Sequence, residues 1–181
     1  MGHRLGRILI TQDEISLRVR ELGQALARDY QGKDPLLVAV LKGAVVFLAD
    51  LMRATELPTA CDFIGVSSYG ASSRTTGVVK ITADLSQTIE GRDVLVVEDI
   101  IDTGRTVAYL KRNLLTRHPG SLRICALLDK VGRREVEVEL DYVGFSIPNE
   151  FVVGYGLDYM SLYRNLPYIA VLEPEDGGKL P

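Results

Sequence analysis

The chain has 181 residues, and at about 150 residues per domain it is expected to form one domain over 1–181. Hydrophobic residues make up 46% and charged residues 25%, which excludes disorder, and a chain of this length buries enough surface to need no disulfide or metal staple. Twenty-one Lys and Arg against 24 Asp and Glu leave a net charge of −3, which argues against a general nucleic-acid coat.

Thr11-Gln12-Asp13-Glu14 reads as a capping box, and Ile15, Val19, Leu22 and Leu26 follow at helical spacing, with Gly32 ending the helix. Leu36–Leu41 is a continuous apolar run bounded by Pro35 and Lys42-Gly43, the pattern of a strand buried on both faces. Ala44–Leu51 reads as the following helix, Cys61–Val66 as a second strand, Ser67–Gly77 as a polar loop and Val78–Ile81 as an arm strand. Asp93–Val97 is the next buried strand, ending at Glu98-Asp99, after which Gly104 or Arg105 opens a helix running to about Arg117. Leu122–Leu128, Val138–Phe145, Phe151–Val153 and Tyr168–Leu172 complete the strands, and Glu173–Pro181 is a polar tail. Strands alternating with helices predict an α/β fold with a mainly parallel central sheet flanked by helices, with ligands bound beyond the carboxyl ends of the strands.

Cys61 and Cys125 fit neither a zinc spacing nor a secreted disulfide framework and read as thiols of a reducing cytosol. Arg7–Ile10 is too short an apolar segment for a signal peptide, and Gly6 stands where a myristoyl signal needs Ser or Thr. The runs Leu36–Leu41 and Gly43–Ala49, separated by Lys42, are too short to span a bilayer. A cytoplasmic protein without a membrane partner is expected.

Several chemistries lack their motifs. No Gly-x-x-x-x-Gly-Lys-Ser/Thr stretch is present, Gly154-Tyr155-Gly156 lacks the third glycine of a dinucleotide fingerprint, and Gly65-Val66-Ser67 lacks the last glycine of a nucleophile elbow. The two histidines are His3, near a terminus, and His118, at a helix end. Serine-histidine and zinc hydrolases are disfavoured accordingly.

Val94 to Thr106 carries the chemistry. A buried strand delivers Glu98 and Asp99, and the small or hydroxyl-bearing Asp102, Thr103, Gly104 and Thr106 then open a helix whose free N–H groups suit an anion such as phosphate. Carboxylates beside a phosphate site repel the ligand unless they serve a cation or a sugar, and Mg²⁺ or ribose hydroxyls meet both demands. An acidic pair alone would more often be a helix cap.

The stretch Glu98-Asp99-Ile100-Ile101-Asp102-Thr103-Gly104 resembles the phosphoribosyl-pyrophosphate signature of type I phosphoribosyltransferases, and more narrowly that of the hypoxanthine-guanine phosphoribosyltransferases. Leu41-Lys42-Gly43 is similar to that family's pyrophosphate loop, and Ser67-Ser68-Tyr69-Gly70 to the start of its lid loop. Val143 to Pro148, Phe151 to Tyr155 and Leu157-Asp158-Tyr159 are similar to its purine-binding end. Arg105 stands where many relatives have Lys.

The resemblance implies a type I phosphoribosyltransferase fold with a small hood at the purine end. It also implies purine salvage, with transfer of phosphoribosyl from phosphoribosyl pyrophosphate to hypoxanthine or guanine. Asp102 would be the general base or acid at purine N7. Glu98, Asp99 and Asp102 to Thr106, Arg105 included, would hold the phosphoribosyl group. Lys42, Gly43 and Arg164 would meet pyrophosphate. Lys130, Phe151, Val152 and Asp158 would bind the purine, and Ser67, Ser68 and Tyr69 would begin the lid. Mg²⁺ is the implied cofactor, with Glu98, Asp99 and Asp158 at the metal, and a homo-oligomer, dimer or tetramer, is implied with no nucleic-acid partner. Two other readings stand beside it: an RNA-binding regulator on the same fold, which the net charge of −3 disfavours, and a phosphoribosyltransferase for another base, which leaves Lys130 with Phe151 unexplained.

Overall fold

The computed structural model describes residues 3–68 and 79–175. In chain order the elements are β1 (His3–Ile10), α1 (Gln12–Asp29), β2 (Leu36–Leu41), α2 (Val45–Ala54), β3 (Ala60–Ser68), β4 (Val79–Ala83), β5 (Asp93–Ile101), α3 (Arg105–Leu115), β6 (Ser121–Asp129), a 3₁₀ turn at Val131–Arg133, β7 (Tyr142–Ser146), β8 (Val152–Val153) and β9 (Ile169–Pro174). Six strands form one sheet in the order β4-β3-β2-β5-β6-β7, parallel throughout except for the antiparallel β3–β4 pair. A second, antiparallel sheet of order β1-β9-β8 carries Val152, one of the residues expected at the purine end, with Phe151 immediately before it.

The alternation of side chains along each strand divides the core in two. Leu37, Ala39, Leu95, Val97 and Leu127 pack with α1 and α2 on one face. Leu36, Val38, Val94, Val96 and Ala126 pack with Val107, Leu110 and Leu114 of α3 on the other. Strands covered on both faces read as unbroken apolar runs, which is why β2, β5 and β6 were visible in the sequence. At about 1.5–3 kcal/mol for each large apolar side chain buried, this double-faced core holds the loops at the strand ends in place.

The capping box is present: Thr11 N–H donates to Glu14 Oε2 at 2.8 Å and Glu14 N–H to Thr11 Oγ1 at 3.3 Å. Other boundaries are corrected. The first helix ends at Asp29, and Gly32 lies beyond it with φ +76°. The second runs Val45–Ala54 and the third ends at Leu115. The strand expected to stop at Val97 continues to Ile101, because Ile100 and Ile101 pair with Leu128 and Asp129 of β6.

Ser67 and Ser68, expected to begin a loop, belong to β3 and pair with Lys80 and Val79. Tyr69 and the rest of the expected lid lie outside the described residues. The arm strand runs Val79–Ala83. Residues 138–141 are irregular, and the strand expected there starts at Tyr142. β1 was not foreseen, nor was the extension of β9 through Glu173 and Pro174, which pair with Arg4 and His3. Among the described residues, no helix is long and apolar enough to cross a membrane.

Candidate active site

The carboxyl ends of β2, β5 and β6 place Lys42-Gly43, Asp102–Gly104 and Lys130 along one edge of the sheet, where open α/β sheets bind ligands. At the end of β5 the chain turns into α3 through Gly104, the N-cap, at φ +83°. A side chain there would meet Val136 O, with Arg134 Cδ 3.1 Å and Val138 Cγ2 3.2 Å away. Only glycine satisfies both the left-handed backbone and the contact. Asp102, whose bland role would have been a helix cap, does not cap α3, since no side chain does. The N–H groups of Thr103 and Gly104 donate to no acceptor among the described residues. They adjoin a cavity of about 90 Å³ lined by Glu98, Asp102, Thr103, Gly104 and Thr106 among others. A helix start with unspent N–H groups is an anion site.

Arg105, expected to support phosphate, forms a 2.6 Å ion pair with Glu135. Asp102 lies beside two cations. Arg133 Nε is 3.3 Å from its Oδ1, and Lys130 is close enough to interact electrostatically. That Oδ1 is buried and accepts no hydrogen bond. Lys130 is 6% exposed. Burial pushes its ammonium below the usual lysine range, and the Asp102 charge opposes the shift.

Glu98 and Asp99 are adjacent in β5 and diverge. Glu98 lines the cavity below the helix start, with Val107 of α3, whereas Asp99 lies against Gly43. Strand alternation separates them, so the acidic pair does not converge on one point. Burial, reinforced by the Asp99 charge, holds the Glu98 carboxyl well above the ordinary range. Burial also lifts Asp99 to about 6, opposed by the Ile100 N–H and by Arg164, and assisted by Asp158.

Lys42 is exposed and Gly43 buried at the end of β2, after a cis Leu41–Lys42 peptide. A side chain at Gly43 would overlap the Asp99 carboxylate, and one at Gly156 would overlap Gly43 O. Arg164 joins the same region. Its Nη1 donates to Gly156 O at 2.6 Å and its Nη2 pairs with Asp158 Oδ1 at 2.6 Å. Asp158 Oδ2 accepts from Ser161 N–H at 2.8 Å. The structure thus gathers Gly43, Asp99, Asp158 and Arg164, and gathers Glu98, Asp102–Thr106 and Lys130 separately around the helix start.

Phe151 and Val152 enter β8 of the second sheet, with Val152 buried. Phe151 meets Tyr159 edge-to-face at 5.6 Å, and Tyr159 in turn contacts His3, with ring centroids 4.6 Å apart and its hydroxyl 3.1 Å from Nε2. Tyr159 lies in the Leu157-Asp158-Tyr159 stretch similar to the family's purine-binding end, whereas the sequence did not single out Arg133, and His3 reads there as merely near a terminus. No local pattern signals these contacts, which join the chain's first strand to its last third. A cavity of about 680 Å³ lies elsewhere, along α3 between Val79, Tyr109, Leu115 and Val138.

Unspent amides at a helix start, flanked by carboxylates and by a lysine-glycine loop, suit a ligand that carries phosphate and sugar hydroxyls together. Fold and site define a phosphoribosyl-handling α/β protein. The model of the phosphoribosyl transferase domain family matches residues 9–160, and the chain belongs to that family, within its hypoxanthine-guanine group. It is 53% identical over 173 residues to the hypoxanthine-guanine phosphoribosyltransferase of Mycobacterium avium, covering 92% of this chain and 85% of that one. It is 51% identical to the Streptococcus thermophilus enzyme of that name over 169 residues, covering 93% and 94%.

The bifunctional protein TilS/HprT of Listeria monocytogenes (strain F2365) is 51% identical over 97% of this chain, which spans only 27% of that longer protein. Among solved structures, a hypoxanthine phosphoribosyltransferase from Staphylococcus aureus superposes with a TM-score of 0.91 at 46% identity, covering 97% of this chain and 95% of that one. A hypoxanthine-guanine phosphoribosyltransferase from Bacillus anthracis superposes at 0.89 and 42%, covering 95% and 100%.

Proposed function

We propose that the chain transfers phosphoribosyl from phosphoribosyl pyrophosphate to hypoxanthine or guanine, giving IMP or GMP and pyrophosphate. The observation that carries this reading is the buried Oδ1 of Asp102, which accepts no hydrogen bond and has only the Arg133 ion pair, set near the helix-start amides and Lys130. A carboxylate oxygen without a hydrogen bond at that point suits a proton held by a purine nitrogen.

In the transfer, the bond from ribose C1 to the pyrophosphate oxygen breaks as C1 gains oxocarbenium character, and a bond from C1 to purine N9 forms. Asp102 takes the proton leaving N7. The amides of 103 and 104 hold the 5′-phosphate, and Glu98 and Asp99 face the ribose and pyrophosphate ends. Lys42, the Gly43 backbone and Arg164 receive the leaving group, which requires Arg164 to exchange its pair with Asp158. Phe151 stacks on the base, braced by Tyr159, the Val152 main chain orients it, and Lys130 donates to its 6-oxo group.

Among the described residues, no three His, Cys, Asp or Glu side chains form a metal-holding group. The neighbouring Asp99 and Asp158 suit Mg²⁺ that keeps its waters and is held mainly by substrate phosphates. When bound, Mg²⁺ neutralises charge on the departing pyrophosphate. A cytoplasmic homo-oligomer completes the proposal. Met160 and Leu162, 77% and 61% exposed on one hairpin, are apolar surface a second copy would cover, and sedimentation tests it. The function is tested by nucleotide formation from phosphoribosyl pyrophosphate and Mg²⁺ with each of hypoxanthine, guanine, xanthine, adenine and uracil. Product with the 6-oxopurines is expected, and product with adenine or uracil alone overturns the reading.

A further inference from the structure

Four consecutive residues, Arg133 to Val136, touch four consecutive residues of the helix start. Arg133 Nε lies 3.3 Å from Asp102 Oδ1. The Glu135 and Val136 N–H groups both donate to Thr103 O at 3.0 Å. Arg134 Cδ and Val136 O occupy the space where Gly104 would carry a side chain, and Glu135 pairs with Arg105. The strip is itself anchored. Arg134 Nη2 forms a partly buried ion pair with Asp129, the last residue of β6, immediately before Lys130. Lys130 N–H donates to Ile101 O at 2.9 Å.

We propose that Arg133–Val136 is a positioning element that aims the 5′-phosphate amides and ties them, through the Asp129–Arg134 pair, to the purine-reading end of the site. The reason is peptide geometry. In a trans peptide the carbonyl and the following N–H point in opposite directions. Two donors holding Thr103 O toward the strip therefore hold Gly104 N–H away from it, into the phosphate cavity. Glycine at 104 is required because the strip fills the space a side chain would use. Without the strip, the Thr103–Gly104 peptide is free to rotate at a residue with glycine's freedom, and the amide loses its aim. A partly buried, charge-assisted hydrogen bond such as Arg134 Nη2 to Asp129 Oδ1 is a weak source of net stability but a geometric constraint. Asp129–Arg134 fixes where the strip lies relative to Lys130, so the phosphate and base subsites keep one spacing.

The proposal rests on the phosphoribosyltransferase reading for the identity of its ligand, and its test separates the two. Glu135→Pro removes the Glu135 N–H donor to Thr103 O. Glu135→Ala removes the same side chain and its pairing with Arg105 while keeping that N–H, so it is the reference. The probes are GMP and guanosine, titrated calorimetrically into each protein, because their affinity ratio isolates the 5′-phosphate contribution. The ratio is expected to fall about tenfold in Glu135→Pro relative to Glu135→Ala, equivalent to the ~1.4 kcal/mol of a tenfold change, with guanosine affinity preserved.

A second variant, Asp129→Asn/Arg134→Gln, keeps a neutral hydrogen-bonding pair and folds without leaving a bare buried charge. It is expected to lower the ratio in the same direction. Equal ratios in the two Glu135 variants, or a ratio near one in the unaltered chain, overturn the proposal. Loss of guanosine and GMP binding together also overturns it, since that is the mark of general damage. Failure of the functional reading shows differently, as absence of GMP formation from phosphoribosyl pyrophosphate and guanine while the GMP-to-guanosine ratio still responds to the strip.

Discussion

Gly43 and Asp99 stand in such close contact that a β-carbon at 43 would overlap the Asp99 carboxylate. The lysine-glycine loop after β2 and the second carboxylate of β5 therefore form one surface, and Gly156 joins it by letting Gly43 O approach its α-carbon and by accepting a hydrogen bond from Arg164 at its carbonyl. Gly43→Ala is expected to displace Asp99 or the loop by about an ångström and to lower kcat/KM for phosphoribosyl pyrophosphate by ~10²-fold, the effect of a misplacement of that size. Steady-state kinetics check it, and unchanged kcat/KM would separate the loop from Asp99.

Asp102→Asn is expected to fold normally, because the Oδ1 accepts no hydrogen bond that the amide would lose and the Arg133 ion pair it gives up is half-exposed. Its kcat should fall by ~10²–10⁴-fold, the usual contribution of general acid–base catalysis. A thermal melt beside single-turnover rates distinguishes this from a purely structural role, in which stability would fall and rate would not.

Burial lifts the Asp99 carboxyl to about 6, against about 3.9 in an unfolded chain. The fold therefore favours the protonated form. Its stabilisation is full below pH ~4 and is lost as pH rises through about 6, at most ~3 kcal/mol. Asp99→Asn should flatten that fall, measured as Tm against pH without added metal. Mg²⁺ needs the carboxylate, so its apparent affinity in the unaltered chain should rise with pH through about 6. A pH-independent Mg²⁺ titration would remove Asp99 from the metal.

Lys130 is a donor-only ammonium at a buried position. It can bond a 6-oxo group, whereas it meets a 6-amino group with an opposed donor. Unpaired buried polar groups reject the wrong substrate by factors of up to ~10⁴. Lys130→Gln should reduce the preference for hypoxanthine over adenine by at least tenfold in kcat/KM. Selectivity at the original margin would place discrimination in the main chain near Val152.

Tyr159→Ala removes the edge-on partner of Phe151 and the contact with His3. An aromatic pair contributes about 0.5–1.5 kcal/mol beyond area, so KM for hypoxanthine should rise about 2- to 10-fold with KM for phosphoribosyl pyrophosphate held. A parallel rise in both would show that the hood, rather than the stacking face, was disturbed.

The interior strands and the helix start were legible in the chain itself. β2, β5 and β6 are buried on both faces and read as apolar runs, the Thr11–Glu14 box states its own hydrogen bonds, and the Glu98–Thr106 segment keeps acid, hydroxyl and glycine within one strand-turn-helix. Those are short-range properties, encoded by periodicity and local backbone chemistry. What only the tertiary structure decided are relationships between distant segments. Glu98 and Asp99 look like one acidic cluster until strand alternation sends them to opposite faces. β1 lacks a readable pattern because it is an edge strand stabilised by β9, about 160 residues away. His3 reaches Tyr159, and Arg133–Val136 reaches Asp102–Arg105, through contacts that depend on how sheets and loops close in space, and no spacing along the chain records that closure.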